Sequence, residues 1–303
     1  AVKAKAAKAV AVAVADAVVG TEASRRLCLD ISSMTGGRCL LGFSRGKDSI
    51  AAWLYLREFF TEVIPFHCSS IPHLSFVDES LNYYESVFNT KISRCLSGEI
   101  TTALSDLIYQ PLEDEAEIDE LELWSYDNHD IIGLLRAQYG SELWCAFGIN
   151  MTDSIDRRIY VKKNQGRNEE RKTFYPCFDW SAQQIKEVIS DAGISLPGDY
   201  RLANRSLAGL PNYRHLCRME EVYPQDMEKI ELWFPFIRAQ LARNEFRREK
   251  ALASRAQEPD QSGGLLGDIL RGQQGAVAHG GTAHVRLEAQ RLHDGRAGGT
   301  VAH

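Results

Sequence analysis

The residues that carry the clearest chemistry form a short polar loop between an apolar run and a helical pattern. The apolar run spans residues 38–43, and the loop, residues 44–49, reads Ser-Arg-Gly-Lys-Asp-Ser. Where a strand turns into a helix, free backbone N–H groups and the helix dipole both favour an anion. Gly46 permits close approach of a ligand, and Lys47 offers positive charge to phosphate oxygens. Hydroxyl donors flank them at Ser44 and Ser49. The loop therefore predicts a nucleotide phosphate site.

Two charged residues of this loop have more than one interpretation. Asp48 does not favour a bare phosphate, so it either holds Mg²⁺ or caps the helix and orients the loop. Arg45 offers a further phosphate contact. The plain structural alternative for the whole loop is a capped surface turn. It is not a Walker A loop, because no GxxxxGK[ST] pattern is present.

A second polar segment follows a later apolar run at residues 144–151. It contains Asp153, Ser154, Arg157 and Arg158. Residues 157–172 carry seven basic side chains, which form either a lid over the nucleotide or a solvated loop. No basic platform interleaved with aromatic residues accompanies them, so a nucleic acid partner is the weaker alternative.

The surrounding elements must bring these two segments together. Apolar runs predict strands at 38–43, 63–68 and 144–151, and helical spacing predicts helices at 50–60, 78–89, 181–193 and 224–256. Strands that alternate with helices predict an α/β fold with parallel strands. A run of acidic residues at 113–122 indicates a solvated face.

Composition separates a folding unit from the two ends of the chain. All aromatic residues lie between Phe43 and Phe246. We expect an Ala/Val-rich arm at 1–21, a nucleotide-binding domain at 22–200, a helical part at 201–256 and a disordered Gly-rich tail at 257–303. The net charge of −6 argues against a general polyanion binder, and no long apolar run predicts a membrane span.

The seven cysteines indicate a cytoplasmic protein, because their number is odd and no CxxC pair is present. The closest pair along the chain is Cys28 and Cys39, so we expect no iron–sulfur cluster. Cys145 and Cys177 stand in apolar contexts typical of core residues. Cys217 is the candidate nucleophile, because basic residues on both sides could lower its pKa. A buried structural role is the alternative for Cys217.

Three ordered motifs resemble one family. The loop 44–49 matches five of six positions of the PP-loop of ATP pyrophosphatases, Ser-Gly-Gly-Lys-Asp-Ser, with Arg45 in place of Gly. Residues 148–157 resemble the Gly-x-Arg-x-x-[Asp/Glu]-Ser-x-x-Arg segment of phosphoadenosine phosphosulfate (PAPS) reductases, with Asn150 in place of Arg. Residues 176–181 resemble their Pro-x-x-Asp-Trp-[Thr/Ser] segment, and residues 204–235 look like members from phages and mobile bacterial elements.

The resemblance implies an adenine nucleotide α-hydrolase-like fold, which is a mainly parallel twisted sheet with helices on both faces. It also implies that Asp153, Ser154, Arg157 and Arg158 bind the nucleotide. It implies an enzyme that cleaves ATP to AMP and pyrophosphate and activates or sulfur-modifies an acceptor. Lys47 and Asp48 would be catalytic, and Lys47 with Mg²⁺ would neutralise the leaving pyrophosphate. Asp179 and Trp180 of the third motif would be a helix start and a core anchor.

Two alternatives remain. A PAPS or adenylylsulfate reductase would use a thiolate and a thioredoxin-like partner, yet the Glu-Cys-Gly-Leu-His motif of family reductases is absent from this sequence. A non-catalytic ATP sensor or docking module is the other alternative. The expected partners are an adenine nucleotide, a sulfur-donor or thioredoxin-like protein, and a second copy of the chain, with no membrane.

Overall fold

A six-stranded, mainly parallel sheet organises the part of the chain that the computed structural model describes, residues 20–151, 155–200 and 213–257. The strands are β1 (Arg38–Gly42), β2 (Glu62–Ser69), β3 (Ser93–Leu96), β4 (Cys145–Phe147), β5 (Arg167–Asn168) and β6 (Thr173–Phe174). Their order across the sheet is β3-β2-β1-β4-β6-β5. All neighbours pair in parallel except β5 and β6, which are antiparallel.

The helices lie mostly between the strands along the chain. They are α1 (Glu22–Met34), α2 (Lys47–Leu56), α3 (Ser75–Phe88), α4 (Gly98–Ser105), α5 (Glu115–Glu120), α6 (Asn128–Tyr139), α7 (Ile155–Lys163), α8 (Ala182–Asp191), α9 (Tyr213–Val222), α10 (Pro224–Trp233) and α11 (Ile237–Gln257). Within the described ranges, no helix is long and apolar enough to cross a membrane.

Strand β1 is buried on both faces and sets the layers of the fold. Cys39, Leu40 and Leu41 are all fully buried. Leu40 belongs to a core cluster with Ile131 and Ile132 of α6, whereas Cys39 and Leu41 belong to a larger cluster with α2, α3 and α8. Successive strand residues point to opposite faces of a sheet, so helices cover both faces. The predicted α/β fold class, a mainly parallel sheet between helices, is confirmed.

The C-terminal helical part differs from the prediction in one respect. The expected long helix over 224–256 is two helices, α10 and α11, because Pro235 interrupts it. Proline has no N–H to donate and disfavours helical geometry in the residue before it. Phe234 accordingly has φ −139° and ψ 76°. The chain turns there, and buried Phe234 and Ile237 both join the larger core cluster.

Helix α1 was not predicted from the sequence. Its N-cap, Thr21, forms a capping box with Ser24, and Leu27, Cys28 and Ile31 are buried on one face. The acidic run at 113–122 matches its prediction, because the short helices within it bury no residue. Residues 1–19 of the arm expected at 1–21 and residues 258–303 of the tail expected at 257–303 lie outside the described residues.

Candidate functional site

The predicted phosphate loop lies at the carboxyl end of β1, between this strand and α2. Gly46 is the N-cap of α2. Because glycine has no side chain, the cap residue makes no side-chain hydrogen bond to the first amides of the helix. Free amides at a helix start are the groups that bind phosphate. The N–H of Lys47 donates a hydrogen bond of 2.9 Å to the hydroxyl of Tyr200.

Hydrogen bonds of Ser44 and Ser49 stabilise the turn of the loop. The Ser44 hydroxyl donates to the Ser49 hydroxyl over 3.2 Å, and the Ser49 hydroxyl donates to the Gly46 carbonyl over 2.9 Å. Ser49 is buried, whereas Ser44 is exposed. Ser44 is therefore the serine whose hydroxyl a ligand can reach.

Lys47 and Asp48 form an ion pair beside the loop. The Lys47 ammonium lies 2.7 Å from each of the two Asp48 carboxylate oxygens. Of the two roles expected for Asp48, capping the helix is wrong, because Gly46 is the N-cap. The role of Mg²⁺ ligand stays a prediction. The pair fixes where the Lys47 charge sits, and ion pairs this exposed add little stability by themselves.

Arg45 takes the backbone shape of a glycine and turns its side chain inward. Its φ is +64°, in the left-handed region that favours glycine. The guanidinium is 1% exposed, lies 3.4 Å from the buried carboxylate of Asp199 and donates to the Ser80 hydroxyl over 3.0 Å. It also lies over the ring of Phe76, 5.6 Å from the centroid. The expected phosphate contact of Arg45 does not match this placement, because burial against Asp199 directs the charge into the protein.

Gly148 brings the second predicted segment against the loop. A Cβ atom on Gly148 would lie 2.4 Å from the backbone nitrogen of Ser49 and 2.6 Å from the carbonyl carbon of Asp48. Only glycine permits this approach, so the chain after β4 packs directly against the start of α2 at the carboxyl end of the sheet. Gly148 is the first residue of the second motif. Its contact with α2 was not predicted from the sequence.

The other predicted residues of this segment are described only in part. Arg158 is exposed on α7, and its Nε donates to the Met151 carbonyl over 3.4 Å. Asp153, Ser154 and the side chain of Arg157 lie outside the described residues. Their assignment to the nucleotide stays a prediction.

Asn150 joins the second and third motifs. Its buried side-chain amide donates to the carbonyl of Trp180 over 2.6 Å and to that of Cys177 over 3.3 Å. Trp180 is buried, and its indole N–H donates to Ser24 of α1 over 3.0 Å. Asp179 accepts from the Thr21 hydroxyl, and the helix start belongs to Ser181, which caps α8. The third motif thus stabilises the segment after β4 from inside the protein.

His67 is a residue beside the loop that sequence reasoning missed. It is buried on β2, and its Nδ1 donates to the Phe43 carbonyl over 2.8 Å, directly before the loop. Burial, and next the charge of Arg45, lower its pKa to about 4. His67 is therefore neutral at pH 7. Its position in a predicted strand was the one signal available, since its contact with Phe43 is long-range.

The cysteines divide by burial. Cys145 and Cys177 are buried in the core, as predicted, and burial raises the pKa of both thiols. Cys217, the candidate nucleophile, is half-buried on α9. The basic side chains expected to activate it, Arg214, His215 and Arg218, lie outside the described residues, so that activation stays a prediction.

The fold and the loop define a class: a mainly parallel α/β protein with a phosphate-type turn after its central strand. No protein-family model matches the chain, and no curated protein sequence matches it. Among solved structures, the U34-tRNA thiolase NcsA from Methanococcus maripaludis with its 4Fe-4S cluster is similar at 14% identity over 72% of this chain and 77% of that chain, with a TM-score of 0.40.

A second similar structure is the NH3-dependent NAD synthetase from Campylobacter jejuni subsp. jejuni in complex with the nitrate ion. It shares 12% identity over 74% of this chain and 94% of that chain, with a TM-score of 0.37. At these values, neither similarity carries an argument about the activity of this chain.

The comparison with NcsA corrects the cofactor prediction. We expected no iron–sulfur cluster because no two cysteines are close along the chain, whereas NcsA has a 4Fe-4S cluster. The physical reason is that ligands far apart in sequence can meet in a fold, so sequence spacing alone excludes nothing. Across the described residues, no group of three or more His, Cys, Asp or Glu side chains is placed to hold a metal ion.

Proposed function

We propose that this chain binds ATP with its phosphates on residues 44–49 and cleaves it to AMP and pyrophosphate to activate or sulfur-modify an acceptor. The observation that carries the proposal is the start of α2. Its N-cap is a glycine without a side-chain cap, and Lys47 is its first residue. Backbone amides, helix dipole and ammonium together favour a polyphosphate.

Each loop residue has a defined part in this proposal. The amides at the start of α2 bind the phosphates, and the Ser44 hydroxyl donates to them. Lys47 neutralises the charge that develops on the leaving pyrophosphate, and Asp48 positions the Lys47 ammonium through the ion pair. An oxygen of the acceptor attacks the α-phosphorus and the bond to the β-phosphate breaks, so AMP passes to the acceptor. In the second step, the sulfur of a thiol or persulfide donor bonds to the acceptor carbon that carries the adenylated oxygen. The bond from that carbon to the oxygen breaks, and AMP leaves with the oxygen.

The contact between the loop and Gly148 supports this arrangement. In open parallel sheets, ligands bind beyond the carboxyl ends of the strands, where β1 and β4 place these two segments. The family assignment to PAPS-reductase-like PP-loop proteins rests on the three ordered motifs. Asn150, which replaces the usual Arg of the second motif, donates to the carbonyl of Trp180 in the third motif over 2.6 Å and so links the two segments.

The test is turnover of α-labelled ATP by the full chain in buffer with Mg²⁺ and candidate acceptors. AMP or an adenylated product is expected, and Lys47→Ala and Asp48→Ala should each weaken ATP binding or turnover at least tenfold. Lys91→Ala is the matched control, because Lys91 forms an exposed ion pair of the same kind with Glu85 over 2.8 Å.

Three outcomes would contradict the proposal. Unchanged ATP affinity in both loop variants would remove the loop as the binding site. Tight ATP binding without any turnover would favour a sensor. Sulfite release from PAPS with thioredoxin would favour the reductase alternative.

A further inference from the structure

Two cysteines that are far apart in sequence lie side by side in the sheet. Cys68 of β2 and Cys95 of β3 are direct partners in the parallel register of these strands. Neighbouring strands are about 4.8 Å apart and register partners point to the same face. A disulfide requires Cα atoms about 4.4 to 6.8 Å apart. The backbone thus already meets the distance that a disulfide needs.

Both thiols are accessible at the carboxyl end of the sheet. Cys68 and Cys95 are half-buried, whereas Cys28, Cys39, Cys145 and Cys177 are buried. They sit at the border of the core cluster that contains α6, beside Tyr126. This pair is therefore more open to reagents in solution than the four buried cysteines.

We propose that Cys68 and Cys95 are a dithiol site that disulfide compounds of the glutathione class oxidise reversibly to a cross-strand disulfide. The proposal does not depend on the nucleotide site, since it rests on the register of β2 and β3 alone. The disulfide would join the carboxyl ends of these two strands, one residue beyond His67.

The two sulfurs have different parts in the reaction. A hydrogen bond from Cys68 lowers the pKa of Cys95, and the same contact raises the pKa of Cys68. The thiolate is the attacking form of a cysteine, so Cys95 attacks first.

The reaction balances in two exchanges. The Cys95 sulfur bonds to one sulfur of oxidised glutathione, whose S–S bond breaks and releases one glutathione thiolate. Cys68 then loses its proton to solvent and attacks the Cys95 sulfur, which releases the second glutathione. The protein pair loses two electrons, and one glutathione disulfide gains them and becomes two thiols.

The test exposes the native full chain to oxidised glutathione, traps free thiols by alkylation and maps peptides by mass spectrometry. A peptide linking residues 68 and 95 is expected, with two fewer free thiols, and reductant should restore both. In Cys68→Ser, one glutathione should stay attached to Cys95. Cys217→Ser is the matched control, because Cys217 is also half-buried, and it should keep the 68–95 link.

The opposite results would overturn the proposal. It fails if wild-type protein in excess oxidised glutathione shows no 68–95 peptide, or shows one only after denaturation. It also fails if the accessible link runs through Cys217. The wild-type measurement decides these points even where a serine variant does not fold.

Discussion

The hydroxyl of Tyr200 accepts a 2.9 Å hydrogen bond from the backbone N–H of Lys47, the first helical residue after the phosphate-type loop. The preceding residue, Asp199, forms the buried ion pair with Arg45 on the other side of the same loop. Two consecutive residues thus contact the loop at Arg45 and at Lys47. The phenol occupies an amide that the proposed function assigns to a phosphate oxygen, so nucleotide binding and this contact compete.

Replacing the phenol tests that competition. Tyr200→Phe removes the acceptor but keeps the ring, and it should raise ATP affinity about two- to tenfold, since a neutral hydrogen bond contributes about 0.5–1.5 kcal/mol. Calorimetric titration with ATP measures the effect. Tyr83→Phe is the control, because the Tyr83 hydroxyl accepts from the backbone N–H of Ser195, away from the loop. A lower affinity in Tyr200→Phe would mean that the phenol binds the ligand itself.

A methyl group at Gly148 should displace the start of α2. In Gly148→Ala the new Cβ would lie 2.4 Å from the Ser49 nitrogen, so the start of α2 must move. We expect a loss of about 1–3 kcal/mol in unfolding free energy and weaker ATP binding. The matched control is Gly133→Ala in α6, where a Cβ meets no atom within 4 Å. That change should stabilise by up to about 1 kcal/mol. Equal effects at both sites would contradict the close approach.

Substitutions of Arg45 and Asp199, which form the buried ion pair, should change the free energy of unfolding in a non-additive way. Arg45→Gly relieves a left-handed backbone, worth about 1 kcal/mol, but leaves the Asp199 carboxylate buried without the guanidinium. Breaking a buried pair costs about 3–5 kcal/mol, so the net loss should be about 2–4 kcal/mol. Arg45→Gly with Asp199→Asn should recover part of it, because the buried charge is gone. Denaturant unfolding measures both, and full additivity would exclude the coupling.

The buried, neutral imidazole of His67 should lower the free energy of unfolding in mild acid. Its pKa is about 4 in the folded protein and near 6.5 when unfolded. Between these values the unfolded chain binds a proton that the folded protein does not, so stability falls as pH drops from about 6.5 to 4. The loss should approach about 3 kcal/mol.

Unfolding curves at several pH values check this dependence. His67→Gln should flatten it, whereas His73→Asn should not, because the His73 side chain is 84% exposed. Burial raises the pKa of Glu58 to about 7, which acts in the opposite direction over the same range, so the comparison of variants decides. An equal pH dependence in wild type and His67→Gln would contradict the burial of a neutral imidazole.

Local patterns were sufficient for the elements that carry the loop. The apolar run at 38–43 and the helical spacing after it predicted β1 and α2, and the polar residues between them predicted the turn. The α/β class followed from strands alternating with helices. Strands β3, β5 and β6 were not predicted, because two to four residues are too few to show an alternating pattern. Helices α1, α4, α5, α6, α7 and α9 were not predicted either. Pro235, visible in the sequence, should have divided the last predicted helix.

The sequence by itself determined the strand, the turn and the chemical groups of residues 44–49, because these depend on neighbours a few positions apart. Only the tertiary structure decided where those groups point. Arg45 turns inward because Asp199, far along the chain, is buried beside it. Cys68 and Cys95 meet because β2 and β3 pair in one register. Spacing along a chain does not encode such contacts, since they arise when distant segments pack together.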